Sequence, residues 1–130
     1  MTPSNPAVVV GAGCSRGCGA DELLALIDAA LAAAGATAAD VRALATVDAK
    51  ADEPGLWEAA RRRGWPLRTH PASALRAVPV PTPAPVVAAH VGTPSVAEAA
   101  ALLTAGAGEL LVTKRRSANA TCAVAPVERG

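Results

Sequence analysis

Apolar and polar positions divide the 130-residue chain into short runs and longer helical stripes. Ala7–Val10 is a continuous apolar run ending at Gly11, the pattern of a strand covered on both faces. From Asp21 to Ala34, the residues Leu23, Leu24, Ile27 and Leu31 fall on one helical stripe, and Gly35 stands where a C-cap is needed. Thr37-x-x-Asp40 reads as a capping box, and Val41–Val47 as a turn of helix running into a second strand. Asp52-Glu53-Pro54 opens a helix with acids and a first-turn proline, and the helix runs to Arg63 before Gly64. Trp65–Thr69 predicts a strand and Pro71–Val78 a short helix. Val86–Val91 predicts another strand. Thr93-Pro94-Ser95 then starts a helix that stops at Gly106, either with Thr93 as cap and Pro94 at the first position or with Ser95-x-x-Glu98 as a capping box. Glu109–Thr113 predicts a strand, Lys114–Ser117 a polar corner and Asn119–Ala125 a last strand.

Strands alternating with helices argue for a single α/β sandwich with a short mixed, mostly parallel sheet and helices on both faces. Too few residues join the last two strands for a parallel crossover, so that pair is expected to be antiparallel. The domain is expected over residues 7–126, between flexible termini at 1–6 and 127–130. Residues 79–85 carry four prolines, which removes four backbone donors, so an extended, mobile connector is expected there.

Composition narrows the function classes. Twelve Lys+Arg against 11 Asp+Glu leave a formal net charge of +1, which does not suit a nucleic-acid binder held by phosphate neutralisation. Hydrophobic residues make up 52% and about a quarter of the chain is alanine, so the chain should collapse and favour helix. Trp57 and Trp65 are its only aromatics, which leaves almost nothing to stack on bases or flat ligands. No apolar run approaches the ~18 residues of a membrane span, and three cysteines are too few for a secreted disulfide scaffold. The opening residues lack a signal-peptide pattern, so a cytoplasmic protein is expected.

Candidate chemistry sits at predicted strand ends. Gly11-Ala12-Gly13-Cys14-Ser15-Arg16-Gly17 lies between a strand and a helix. Its glycines allow a sharp turn and close approach to a ligand. Its third glycine comes one place late for a dinucleotide fingerprint, and no Gly-Lys-Ser/Thr makes it a P-loop. A tight turn and an anion-facing loop both remain open. No donor spacing joins Cys14 and Cys18 to Cys122, His70 or His90, so no metal is expected, and no base is identifiable for a catalytic thiol. Lys50 would stand at a strand's carboxyl end, where open α/β sheets collect ligands, although alone it reads as a solvated lysine. Gly92, Thr93 and Ser95 form a second strand–helix turn, suited to a carboxylate or to simple capping. Lys114, Arg116, Ser117, Asn119 and Thr121 form either a solvated corner or a seat for an acidic ligand. The run Arg61–Arg63 reads as solvated chemistry at a helix's negative end. Together these strand ends suit a ligand with many carboxylates, and no spacing identifies a reaction.

In order along the chain stand Gly11-x-Gly13-Cys14-x-Arg16-Gly17, Glu22-Leu23, Ala45-Thr46, Lys50-x-Asp52-Glu53-x-Gly55-Leu56 and Pro66-Leu67. They are followed by the run from Gly92 through Ala101, and then by Lys114 through Asn119-Ala120-Thr121-x-Ala123-x-Ala125. This set resembles the CobE/CbiG C-terminal domain family of cobalamin (vitamin B12) biosynthesis. The resemblance covers nearly the whole chain. It implies a three-layer α/β domain acting in corrin-ring assembly; no cofactor is expected. Longer members resemble cobalt-precorrin-5A hydrolases, which open a ring lactone and release acetaldehyde. The length of this chain favours the short, CobE-like branch. The resemblance implies a corrinoid precursor as ligand. Arg16, Lys50, Lys114 and Arg116 would pair with its carboxylates, and Thr93, Ser95, Ser117, Asn119 and Thr121 would donate hydrogen bonds. An accessory or carrier role is expected, the alternative being a lactone hydrolase with Glu53 or Glu98 as acid/base groups. Their capping positions favour a structural role for both. A precorrin methyltransferase or another pathway enzyme, and a second copy of the chain, are the protein partners expected; no nucleic acid and no membrane are expected.

Overall fold

The computed structural model describes residues 7–80 and 96–127. The strand expected at Val86–Val91, the helix start at Thr93–Ser95 and most of the proline-rich connector lie outside them. Five strands form one sheet: β1 (Val8–Cys14), β2 (Val41–Val47), β3 (Leu67–His70), β4 (Val112–Arg116) and β5 (Ala120–Pro126), in the order β3-β2-β1-β5-β4. β1 pairs in parallel with β2, and β2 with β3, whereas β5 runs antiparallel to both β1 and β4. Four of the five described strands therefore point the same way. Helices α1 (Ala20–Ala34) and α2 (Pro54–Arg63) cover one face, and α3 (Ala72–Arg76) and α4 (Val96–Ala105) the other. The result is the three-layer mixed α/β sandwich that the alternation of elements predicts.

Both helices of the first face keep the ends that their sequences specify. Gly35 and Gly64 close α1 and α2 in the left-handed region, each at φ +73°, where a side chain would be strained. Pro54 opens α2, where its missing N–H costs nothing. Leu23, Ile27, Leu31, Leu56 and Ala59 pack on Val8, Val10, Leu44, Cys122 and Val124. The Arg61–Arg63 run is not merely solvated. Arg62 bridges Glu58 and Asp21, while Arg63 bonds Asp28 at 2.8 Å and lies over the Trp65 ring at 5.8 Å, so these arginines tie α2 to α1. The indole N–H of buried Trp65 donates to the Ala38 carbonyl at 3.1 Å. Trp57 is half exposed, and its indole N–H donates to the Ala51 carbonyl.

Three elements differ from the sequence reading. β1 continues through both glycines to Cys14, because β5 pairs with it along its whole length. Val41–Val47 is strand throughout: pairing with β1 begins at Val8 opposite Val41, and tertiary pairing overrides the local helical pattern. The last hairpin is shifted, so Lys114–Arg116 belong to β4 and are not the corner itself. β4 is an edge strand among the described residues, and its run of cations discourages pairing with another chain.

On the second face an alanine-rich helix lies almost on the backbone of the sheet. A Cβ at Gly11 would stand 1.9 Å from the Ala97 carbonyl oxygen and 2.7 Å from the Ala101 amide nitrogen. Ala97, Ala99, Ala100 and Ala101 are all buried. Small side chains replace bulk with closeness, which restores dispersion contact that large residues would otherwise supply.

All three cysteines are buried free thiols. Burial, then contact with Cys18, pushes Cys14 up to about 11, and burial pushes Cys122 up to about 12. An unfolded thiol ionises near 9, so the folded state holds these protons longer than the unfolded state does. Their contribution to stability is complete below pH 9 and is lost as pH rises through the folded values.

Two predictions follow from this packing. Gly11→Ala should destabilise the fold by about 2–3 kcal/mol through overpacking against α4. Gly108→Ala, where nothing lies within 4 Å of the added methyl, should change stability by less than about 0.5 kcal/mol. Urea unfolding midpoints decide this, and equal midpoints for the two variants would contradict the packing argument. Urea unfolding free energy should also fall between about pH 9 and about pH 11, and fall less steeply in Cys14→Ala/Cys122→Ala. Identical slopes would remove the thiols from the account.

Candidate functional site

Because β1, β2, β3 and β4 point the same way, their carboxyl ends share one edge of the sheet. The loop Ser15–Gly19 leaves β1 there, Asp48–Lys50 leaves β2 as a single 3-10 turn, and the corner Ser117–Asn119 joins β4 to β5. Open α/β sheets bind ligands at such an edge. The Ser15 N–H donates to the Asn119 carbonyl at 2.8 Å, so the first loop and the last corner touch.

Three carboxylates from helix starts hold this edge, each by a backbone N–H of another element. Glu22, in the first turn of α1, accepts the Asn119 N–H at 2.7 Å, the Asn119 side-chain amide at 3.1 Å and the Ser117 hydroxyl. The Ser117 and Asn119 hydrogen bonds hold its carboxyl below the ordinary range. Glu53, which caps α2, accepts the Gly17 N–H at 2.8 Å. Glu98, in the first turn of α4, accepts the Lys114 N–H at 2.8 Å. Glu53 is 8% exposed and Glu98 is fully buried.

A cleft of about 630 Å³ opens between the first turns of α1 and α2. Arg16, Gly17, Cys18, Glu53, Gly55 and Arg62 are among its lining residues. Its floor is tight, since a Cβ at Gly55 would stand 2.1 Å from the Cys18 carbonyl oxygen. Burial raises the Cys18 thiol, with the Glu22 and Glu53 charges adding to the effect, so a neutral thiol lines this cleft at neutral pH. Arg62, whose run reads from sequence as solvated, shares the cleft wall with Arg16.

The expected site residues gather at one edge, but the sheet divides some of their side chains between its faces. Cys14 packs on the α1/α2 side, the side of the Arg16 cleft. Lys50 stands close enough to Cys14 to oppose the rise of its thiol. Arg116 lies directly opposite Thr121 and so shares its face. The Thr121 hydroxyl donates to the Gly13 carbonyl at 3.4 Å, and a Cβ at Gly13 would stand 3.8 Å from Val96 at the start of α4. Gly11 lies under α4 itself, as a packing position. Ser117 and Asn119, expected to donate to a ligand, donate to Glu22 instead. Lys114 has its amide fixed by Glu98. Gly92, Thr93 and Ser95 lie outside the described residues.

Sequence reasoning passed over Glu22 and Arg62 as parts of this edge. Glu22 reaches partners 95 and 97 positions away, which no local pattern reveals. Arg62 follows helical spacing from Glu58, and only the packing of α2 on α1 brings it to the cleft. Among the described residues no group of three or more His, Cys, Asp and Glu could hold a metal ion. No described helix is long and apolar enough to cross a membrane.

Comparison with known proteins fits this architecture. Residues 8–125 match the family described as Cobalamin synthesis G C-terminus. Protein CobE of Sinorhizobium sp is 39% identical over 127 residues, covering 95% of this chain and 82% of the relative. Cobalt-precorrin-5A hydrolase of Priestia megaterium is 35% identical over 118 residues, 91% of this chain but 32% of that enzyme. The crystal structure of CobE, a protein from the cobalamin (vitamin B12) biosynthetic pathway, superposes with a TM-score of 0.84 at 35% identity. That superposition covers 95% of this chain and 96% of CobE. With the match spanning β1 through β5, the chain belongs to the CbiG C-terminal family and is a CobE-like protein of cobalamin biosynthesis.

Proposed function

We propose that the protein binds a corrin-ring precursor by its carboxylates at the carboxyl edge of the sheet, in an accessory or carrier role. The observation that carries this reading is the gathering of Arg16, Lys50 and Arg116 at strand ends that share one edge. Corrin precursors bear acetate and propionate side chains around a flat ring, so several cations spread along an edge match the ligand's perimeter. Aromatic stacking on the ring has little to draw on, and aliphatic surface would have to support it. Either a pathway enzyme or a second copy of the chain could receive the ligand from such a carrier.

A second reading, hydrolysis of a precorrin lactone, is favoured by the relative in Priestia megaterium. Against it, the two conceivable acid/base groups, Glu53 and Glu98, are each occupied with a backbone N–H. Incubation with a lactone-bearing precorrin separates the readings: release of acetaldehyde in proportion to protein would replace the carrier role with an enzymatic one.

Binding is tested by titration with cobyrinic acid, a corrin carrying free carboxylates. Each partly desolvated cation–carboxylate pair contributes on the order of 1–3 kcal/mol, so Arg16→Ala or Lys50→Ala should weaken binding about tenfold. Added salt should weaken wild-type binding, and do so less steeply in those variants. Arg42→Ala is the control, since exposed Arg42 lies at the opposite end of β2 from Lys50. An equal loss in Arg42→Ala would mean diffuse charge attraction and no defined site.

A further inference from the structure

We infer that Glu53 is a positioning residue. By bonding the loops of both Arg16 and Lys50, it fixes the two cations relative to each other and so sets affinity for the ligand's carboxylates without touching them. This rests on the binding reading above.

The geometry is specific to this residue. The Glu53 amide donates to the Lys50 carbonyl at 3.0 Å, closing the turn that follows β2. The Glu53 carboxylate reaches a residue 36 positions away and accepts the Gly17 N–H at 2.8 Å, directly after Arg16. One residue thus holds Lys50 by its backbone and the Arg16 loop by its side chain. Gly17 is in the left-handed region at φ +82°, and the Cys18 N–H donates to the Ser15 carbonyl at 3.0 Å, so Arg16 rides on a tight turn. A loop bearing an arginine has to be ordered either on folding or on binding, and ordering it on binding subtracts from affinity. Burial of Glu53, at 8% exposure, limits the access of water to the accepting carboxylate.

The contact needs an acceptor oxygen, which the side-chain amide of glutamine also supplies, so Glu53→Gln separates positioning from charge. With cobyrinic acid as probe, Glu53→Ala should bind about tenfold more weakly, the order expected when roughly one residue's backbone freedom is frozen at binding. Glu53→Gln should restore affinity to within about threefold of wild type. In the Arg16→Ala background, adding Glu53→Ala should cost less than about twofold further, because residues acting through one contact are not additive. Thermal melting confirms that each variant is folded. An equal loss in Glu53→Gln and Glu53→Ala, or full additivity with Arg16→Ala, would overturn the positioning role. If wild type does not bind cobyrinic acid, the binding reading falls, and hydrogen exchange at the Gly17 amide still decides on the contact. Protection lost in Glu53→Ala and kept in Glu53→Gln supports it, and equal protection in all three proteins overturns it.

Discussion

The carboxyl edge of this sheet depends on carboxylates reaching backwards from helix starts. α1, α2 and α4 each begin with a glutamate whose side chain leaves its own helix and accepts an N–H from another element: Asn119, Gly17 or Lys114. A carboxylate is favoured at a helix's positive end, and a backbone N–H left without a partner in the strand ladder needs an acceptor. One interaction meets both requirements three times. The loops that leave the sheet are held by the helices that follow or face them, in addition to the turn contacts they make themselves.

This arrangement bears on how such an edge can bind a polyanion. The acids at the helix starts are occupied with backbone N–H groups, and Arg16 and Arg116 at the same edge are exposed. The Arg61–Arg63 run shows the other use of charge in this chain. There cation and acid meet across two helices, and pairs so exposed add little stability each. They instead align α2 on α1 and shape the wall of the cleft between them.

Helices α1 and α2 were legible because period and punctuation agree: Leu23, Ile27 and Leu31 on one stripe, Pro54 at a start, and Gly35 and Gly64 at the stops. Strand limits were less legible because pairing partners set them. Gly11 and Gly13 look like the end of a strand until β5 is laid beside them, and Val41 looks helical until Val8 is opposite. The loops carrying Arg16 and Lys50 could be located from strand–helix punctuation alone. Their mutual arrangement could not, since it runs through the Glu53 carboxylate, whose partner Gly17 is 36 positions away and whose own neighbours suggest nothing beyond a helix start. Gly11 was singled out for closeness to a ligand, and its closeness is to the backbone of α4.

Trp57 stands beside the Lys50 loop with its indole bonded to the Ala51 carbonyl, while Trp65 is buried between α2 and the turn before β2. With no tyrosine or phenylalanine in the chain, its near-ultraviolet emission comes from these two rings alone, one wet and one dry. The wet ring lies beside the Lys50 loop and the dry ring is shielded, so a small aqueous quencher reaches the first far more readily than the second. The protein therefore carries one emitter that reports on solvent at the Lys50 loop and another that reports on the packing of its core.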